Sequence, residues 1–225
     1  SLGIDYLFNI PFTREIMNMS PERFVQEILV DKFRIREAYC GFNYTFGDRG
    51  AGDTALLKTL GEELGIAVRV LGPVSYENEP VSSTRIRACL EQGKLETANA
   101  MLGACYALSG AVTANRRIGH ALGFPTANLA GYGNKVLPLS GVYAARAFVA
   151  GEAFRAVTNV GNNPTVEGRS TTVETHLLDF ERDIYGMPLR VEFVARLRGE
   201  VKFPSREALA AQIAADAAHA RTILK

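Results

Sequence analysis

The stretch from Gly123 to Leu129 reads GFPTANL. Gly123 and Pro125 punctuate the chain around Phe124 and mark a bend. Thr126 and Asn128 then place two small oxygen-bearing side chains just after it. They could bond their own backbone in a turn that leads into a strand, or they could hold a ligand. A second stretch, TTVETHLLDF from Thr171 to Phe180, sets Glu174 inside an otherwise β-branched and apolar strand. Strand alternation puts Glu174 on one face with Thr172 and His176, and Val173, Thr175 and Leu177 on the other. A carboxylate there fits the solvated face of an edge strand as well as it fits a working base. A third stretch, VSSTRIR from Val81 to Arg87, gathers Ser82, Ser83 and Thr84 at a helix start, where unpaired N–H groups and the helix dipole favour an anion. Arg85 and Arg87 add positive charge. An ordinary serine cap accounts for Ser83 but not for the doubled serine with both arginines.

The elements that carry these stretches follow two grammars. Residues 1 to about 102 alternate strands and helices, which argues for a parallel α/β sheet. YLFNI, ending before Pro11, reads as a strand. SPERFVQEILVDKF opens a helix with Ser20 as cap and Pro21 at its first position. EAYCGF and IAVRVLG read as strands. DTALLKTLGEELG reads as a helix capped by Asp53 and stopped by Gly65. SSTRIRACLEQG and KLETANAMLG are two further helices. From Tyr106 to about Gly199 the apolar residues alternate and glycine recurs, as in GVYAARAFV, FRAVTNV and LRVEFVARL. Short alternating strands with frequent turns suggest a small antiparallel barrel or sandwich. A final helix is capped by Ser205, with Leu209, Ile213 and Ile223 as its expected buried stripe. The domains are therefore placed at 1–103 and 104–225, each with its own core.

Composition narrows the function. The 225 residues carry 25 basic and 24 acidic side chains, so no global basic field serves nucleic acid or an anionic membrane. Any phosphate must be held locally. Cys40, Cys89 and Cys105 form no Cys-x-x-Cys, which suggests neither a zinc knuckle nor a disulfide framework. They are expected to be small buried hydrophobes in a reducing cytoplasm. No apolar run approaches membrane-spanning length.

Together, GFPTAN (123–128), GVY (141–143), NVGNNPT (159–165), ETHLLDF (174–180), Tyr185-Gly186 and Lys202-Phe203 resemble the riboflavin kinase family in order and spacing, across essentially all of residues 106–225. Asn115 stands where that family usually has Gly, and His120 where Arg is common. The resemblance implies ATP, Mg²⁺ and riboflavin. Phosphoryl transfer needs a cation and backbone donors around the β and γ phosphates, with the acceptor held in line. By resemblance, Gly123, Pro125, Thr126 and Asn128 bind ATP phosphate. Thr126 supplies a hard oxygen ligand to Mg²⁺, and Glu174 is the base that accepts the proton of the riboflavin 5′-hydroxyl. His176 reads as a strand histidine satisfied by a neighbour, Arg116 and Arg117 as a solvated turn, and Tyr143, Phe180 and Tyr185 as core.

VSSTRIR resembles the ISSTxIR signature of the flavin-adenylating nucleotidyltransferases, where Ser83, Thr84, Arg85 and Arg87 would hold the triphosphate. GFNYTFGDRGAG (41–52) resembles the same family near its flavin, with Asn43 and Phe46 at contact positions. The His-x-Gly-His of that family does not occur; the histidines are His120, His176 and His219. The segment carrying it is expected to precede Ser1, so that the chain as given would make FMN but little FAD. The two resemblances imply successive steps, riboflavin to FMN and FMN to FAD, with no nucleic-acid or membrane partner. A non-catalytic flavin or nucleotide module is the alternative; Glu174 speaks against it, because a pure binding site has no need of a carboxylate beside a phosphate. A nucleic-acid-binding barrel would need a basic, aromatic-laced face.

Overall fold

Short polar caps set the helix starts. In the computed structural model, which describes residues 3–113, 124–165 and 168–225, Ser20 accepts from the Arg23 N–H. Asp53 accepts from the Leu56 N–H at 2.8 Å, and Ser205 from the Ala208 N–H at 3.2 Å. The chain divides into two compact units, Ser1–Ser75 and Tyr76–Lys225.

In the first unit, α1 (Arg14–Met17) is followed by α2 (Pro21–Arg23), which continues as a π-helical stretch over Phe24–Lys32. Strand β1 (Glu37–Gly41) pairs in parallel with β2 (Ala67–Leu71). Between them lies α3 (Thr54–Leu64), which Gly65 ends in the left-handed conformation at φ 71°. Val25, Phe46, Leu57 and Ile66 form the core. The strand expected over 6–10 is not formed. Tyr6 and Leu7 are 80% and 88% exposed, and the segment has no strand assignment. An apolar run becomes a strand only where a neighbour completes its hydrogen-bond ladder.

The short strands β3 (Ser75–Tyr76) and β4 (Glu79–Pro80) form a hairpin whose turn residues, Glu77 and Asn78, both have positive φ. Two helices follow, α4 (Ser83–Glu91) and α5 (Leu95–Leu102). Six strands then close a barrel: β5 (Tyr106–Thr113), β6 (Ala127–Ala130), β7 (Gly141–Val149), β8 (Glu152–Thr165), β9 (Gly168–Leu177) and β10 (Pro188–Arg198). Their order around the barrel is β10-β5-β6-β9-β8-β7. Alternation sends Leu108, Tyr143, Val160, Val173, Val191 and Phe193 into a fully buried interior. Thr158 and Thr175 lie opposite each other in register and join inside it through a 3.1 Å hydrogen bond.

Helix α6 (Arg206–Ile223) covers part of the outer surface. Its contact is made by Ala217, Ala220 and Leu224 against Val142, Ala144 and Val157. Leu209 and Ile213, expected in the buried stripe, are only half-buried. The small alanines let the helix approach the strands closely, and this shifts the contact toward its C-terminal end. The buried Asp216 accepts bonds from Arg198, at 2.7 Å from its terminal nitrogen. Helices α4 and α5 pack on the barrel as well. Leu90, Leu95, Ala98 and Met101 belong to the same cluster as its interior. Asn99 donates to the Phe193 carbonyl at 2.9 Å and accepts from the Tyr106 N–H at 2.7 Å. The packing division at 75/76 therefore lies upstream of these helices. Among the described residues, no helix is long and apolar enough to cross a membrane. Cys89 is buried and Cys40 and Cys105 are partly so.

Candidate active site

The register of the barrel strands assembles a polar row. Asn128 on β6 pairs with Thr113 on β5 and with Glu174 on β9. Glu174 pairs in turn with Asn159 on β8. Directly opposed residues share a face of a sheet. The alternating neighbours Ala127, Thr158 and Thr175 are buried inside, so this row faces outward. Asn128, Asn159 and Glu174 are each half-buried. Burial pushes the Glu174 carboxyl above its ordinary range.

Thr126 and His176 extend the row in the next layer. Thr126 lies two residues before Asn128, and His176 two residues after Glu174. The Pro125 carbonyl accepts a 2.8 Å bond from His176 Nδ1. Phe124 meets the His176 ring edge-on at 5.6 Å between centroids. The histidine is thus satisfied by a neighbour, as expected, and that neighbour is the GFPTAN turn. Gly123, Arg116 and Arg117 lie outside the described residues.

Asn159 was not singled out by residue type alone. Its amide leans along β8 over Gly161. A Cβ built on Gly161 would lie 2.9 Å from Asn159 Nδ2 and 2.8 Å from Glu200 Oε1. The signal available in the sequence was the glycine two residues on from the asparagine, which leaves the space. On the other side of Asn128 opens a hollow of about 310 Å³, lined by Thr113, Asn128, Tyr132, Thr171 and Thr172 among others. That volume lies at the lower end of small-molecule sites. Tyr143 is buried inside the barrel, whereas Tyr185, expected in the core, is 45% exposed.

The VSSTRIR residues open α4. Ser82 caps it, accepting from the Arg85 N–H at 3.2 Å. Ser83, Thr84 and Arg87 are exposed around the first turns. Arg85 is turned back onto the hairpin, donating to the Tyr76 and Glu79 carbonyls at 2.8 and 3.0 Å. It also lies 3.1 Å from the Glu79 carboxylate. In the first unit Asn43 is exposed. Phe46 is 7% exposed, with Tyr44 stacked on it at 5.6 Å. A Cβ on Gly52 would touch the Phe46 ring at 2.7 Å. In this structure Phe46 is a packing residue of the core.

The riboflavin kinase family model matches residues 102–224, and the FAD synthetase model matches residues 1–85. A bifunctional riboflavin kinase/FMN adenylyltransferase of Haemophilus influenzae is 33% identical over 214 residues, 95% of this chain and 69% of that protein. The chain belongs to the bifunctional riboflavin kinase/FMN adenylyltransferase family. The Escherichia coli K12 member is 34% identical over 220 residues, spanning 97% of this chain and 70% of that protein. The Bacillus subtilis member is 31% identical over 220 residues, spanning 96% and 68%. A solved structure from Streptococcus pneumoniae, named a macrolide-efflux protein, superposes with a TM-score of 0.84 at 30% identity over 93% of this chain and 67% of that one. The family's two activities map onto the two matched segments. The barrel with its Asn128–Glu174 row falls within the riboflavin kinase match, and Asn43 and Ser83 to Arg85 fall within the FAD synthetase match.

Proposed function

We infer that the outer face of the barrel transfers the γ-phosphoryl group of ATP to the 5′-hydroxyl of riboflavin, with Glu174 as general base. The cross-strand pair Asn128–Glu174, with Thr126 beside it, carries this reading. Glu174 is the one carboxylate in the row, and its raised pKa suits a group that must take a proton near neutrality. Asn128 can orient that carboxylate or a phosphate oxygen. Pro125 stiffens a turn whose backbone approaches the phosphates.

Thr126, Asn128 and Glu174 offer only hard oxygen atoms, the donor set that Mg²⁺ favours. Among the described residues no three His, Cys, Asp or Glu side chains cluster as a metal cage, which suits a cation that takes its remaining ligands from phosphate and water. Thr126 would hold it. When bound, Mg²⁺ supplies charge neutralisation on the phosphates. Glu174 accepts the hydroxyl proton as the acceptor oxygen approaches phosphorus.

In a protein that also carries the family's His-x-Gly-His, the N-terminal segment serves the second step, FMN plus ATP to FAD plus pyrophosphate. Ser83, Thr84 and Arg87 are free to meet phosphate at the start of α4, and Asn43 lies in the flavin loop. Arg85 supports them by fixing the hairpin. ATP as co-substrate and three free cysteines fit the cytoplasm.

The test is Glu174→Gln, which keeps shape but cannot take the proton. The expected result is a fall of about 10²–10⁴ in kcat for FMN formation, with riboflavin affinity nearly unchanged. Near-normal turnover would remove Glu174 from the role.

A further inference from the structure

His176 is a positioning residue for the kinase reaction: we propose that its Nδ1–H holds the Pro125 carbonyl and thereby sets the turn that presents Thr126 to ATP. The proposal rests on the reading of this face as the kinase site. A carbonyl can only accept, so the 2.8 Å contact requires the proton on Nδ1. The bond is a long-range one, joining β9 to the residue just before Thr126. Its imidazole grows from the same face of the same strand as Glu174, two residues away. One rigid strand therefore carries both the base and the anchor of the turn opposite.

The physical consequence follows from the peptide plane. Gripping the Pro125 oxygen fixes the orientation of the whole Pro125–Thr126 peptide, because proline has already fixed its own φ. With ψ of Pro125 held as well, the N and Cα of Thr126 are placed from one side, and β6, which begins at Ala127, holds the residue from the other. Phe124, edge-on to the imidazole at 84°, limits rotation of the ring. The separation between the Thr126 hydroxyl and the Glu174 carboxylate is then governed by a strand and one hydrogen bond, not by a free loop. Positional error of this kind is costly, since displacements of about 1 Å can lower turnover roughly 10²-fold.

The experiment measures initial rates of FMN formation by the full chain, titrating MgATP and riboflavin separately, for His176→Asn, His176→Gln, His176→Phe and Thr126→Ala. Thermal melts accompany each variant. The amide nitrogen of Asn occupies the place of Nδ1, whereas that of Gln reaches the place of Nε2. Phe keeps the ring contact with Phe124 but cannot donate. The expected result is a rise of about tenfold in KM for MgATP in His176→Phe and His176→Gln, a size typical for the loss of one hydrogen bond, with KM for riboflavin within about twofold of normal. His176→Asn recovers to within about threefold. A normal KM for MgATP in His176→Phe, or equal impairment of the Asn and Gln variants, overturns the proposal. If His176→Phe fails to fold, the Asn and Gln pair decides alone. Thr126→Ala separates the underlying reading from the proposal. Normal turnover in that variant removes Thr126 as a ligand and the kinase-site reading with it; impaired turnover in Thr126→Ala beside a normal KM for MgATP in His176→Phe overturns the clamp alone.

Discussion

Glu174 on β9 stands directly opposite Asn128 on β6. The carboxylate therefore has a neutral amide on that side and, through Asn159, another on the opposite side. Among the described residues, burial is the cause that raises its pKa. In the role proposed for Glu174, the ionised carboxylate is costly to the fold and available to the reaction for the same reason.

The pH profile should report this. Glu174 must be ionised to accept a proton, and its folded-state pKa lies above the ordinary 4.5. The rate of FMN formation is expected to fall on the acid side at a pH above 4.5, and Glu174→Gln should abolish that limb. Stability moves the other way. A raised carboxyl pKa gives stability that is complete below the unfolded value and lost as pH rises through the folded one. Glu174→Gln should therefore raise Tm at neutral pH and leave it unchanged near pH 4. An equal shift at both pH values would assign the gain to packing instead.

Gly161→Ala should damage the site more than the fold. The new methyl would lie 2.8 Å from Glu200 Oε1 and 2.9 Å from Asn159 Nδ2, so Asn159 must leave its place beside Glu174. A loss of about tenfold in kcat is expected, in line with the sensitivity of catalysis to small displacements, with little change in Tm. Gly72→Ala, with nothing within 4 Å of the added atom, is the control. Equal activity in the two variants would show that Asn159 and Glu200 have no part in turnover.

The packing of α4 and α5 bears on where a kinase fragment can begin. Leu90, Leu95 and Met101 lie in the barrel's own cluster. Burying such side chains contributes roughly 1.5–3 kcal/mol each, against about 5–15 kcal/mol for a whole domain. We propose that a fragment of residues 76–225 folds and phosphorylates riboflavin, whereas 104–225 melts at least about 10 °C lower or is insoluble. Matching melts and activities would return the boundary to the neighbourhood of residue 103.

Local chemistry was the legible part of this chain. Ser20, Asp53 and Ser205 announce their helices because a capping oxygen acts on N–H groups two or three residues away. The barrel strands were legible because alternation is a property of each strand alone. Register is not, since nothing in a single strand states its partner. Asn159 became a site neighbour only when β8 was set against β9. The contact face of α6 also depended on its partner, because Ala217 and Ala220 gain their value from the closeness of Val142 and Ala144. Phe46 shows the same limit. An aromatic in a glycine-rich loop suits a flavin stack, yet Phe24, Tyr44 and Gly52 enclose it in the core. Thr126, Asn128 and Glu174 were picked out by the family pattern, whereas the pairing of Asn128 with Glu174 and the bond from His176 to Pro125 needed three-dimensional placement.

The division of β9 into two sets of residues has a further consequence. Val173, Thr175 and Leu177 hold the barrel closed, while Thr172, Glu174 and His176 lie on its outer face. Substitutions in one set can accumulate with little reference to the other. A deletion or insertion of a single codon within the strand cannot, because a one-residue slip exchanges the two faces. It would drive a carboxylate and an imidazole into the apolar interior and turn Val173 and Leu177 out to water. The strand is thus tolerant in composition and intolerant in length, and viable length variants of this enzyme should be confined to the loops at its ends.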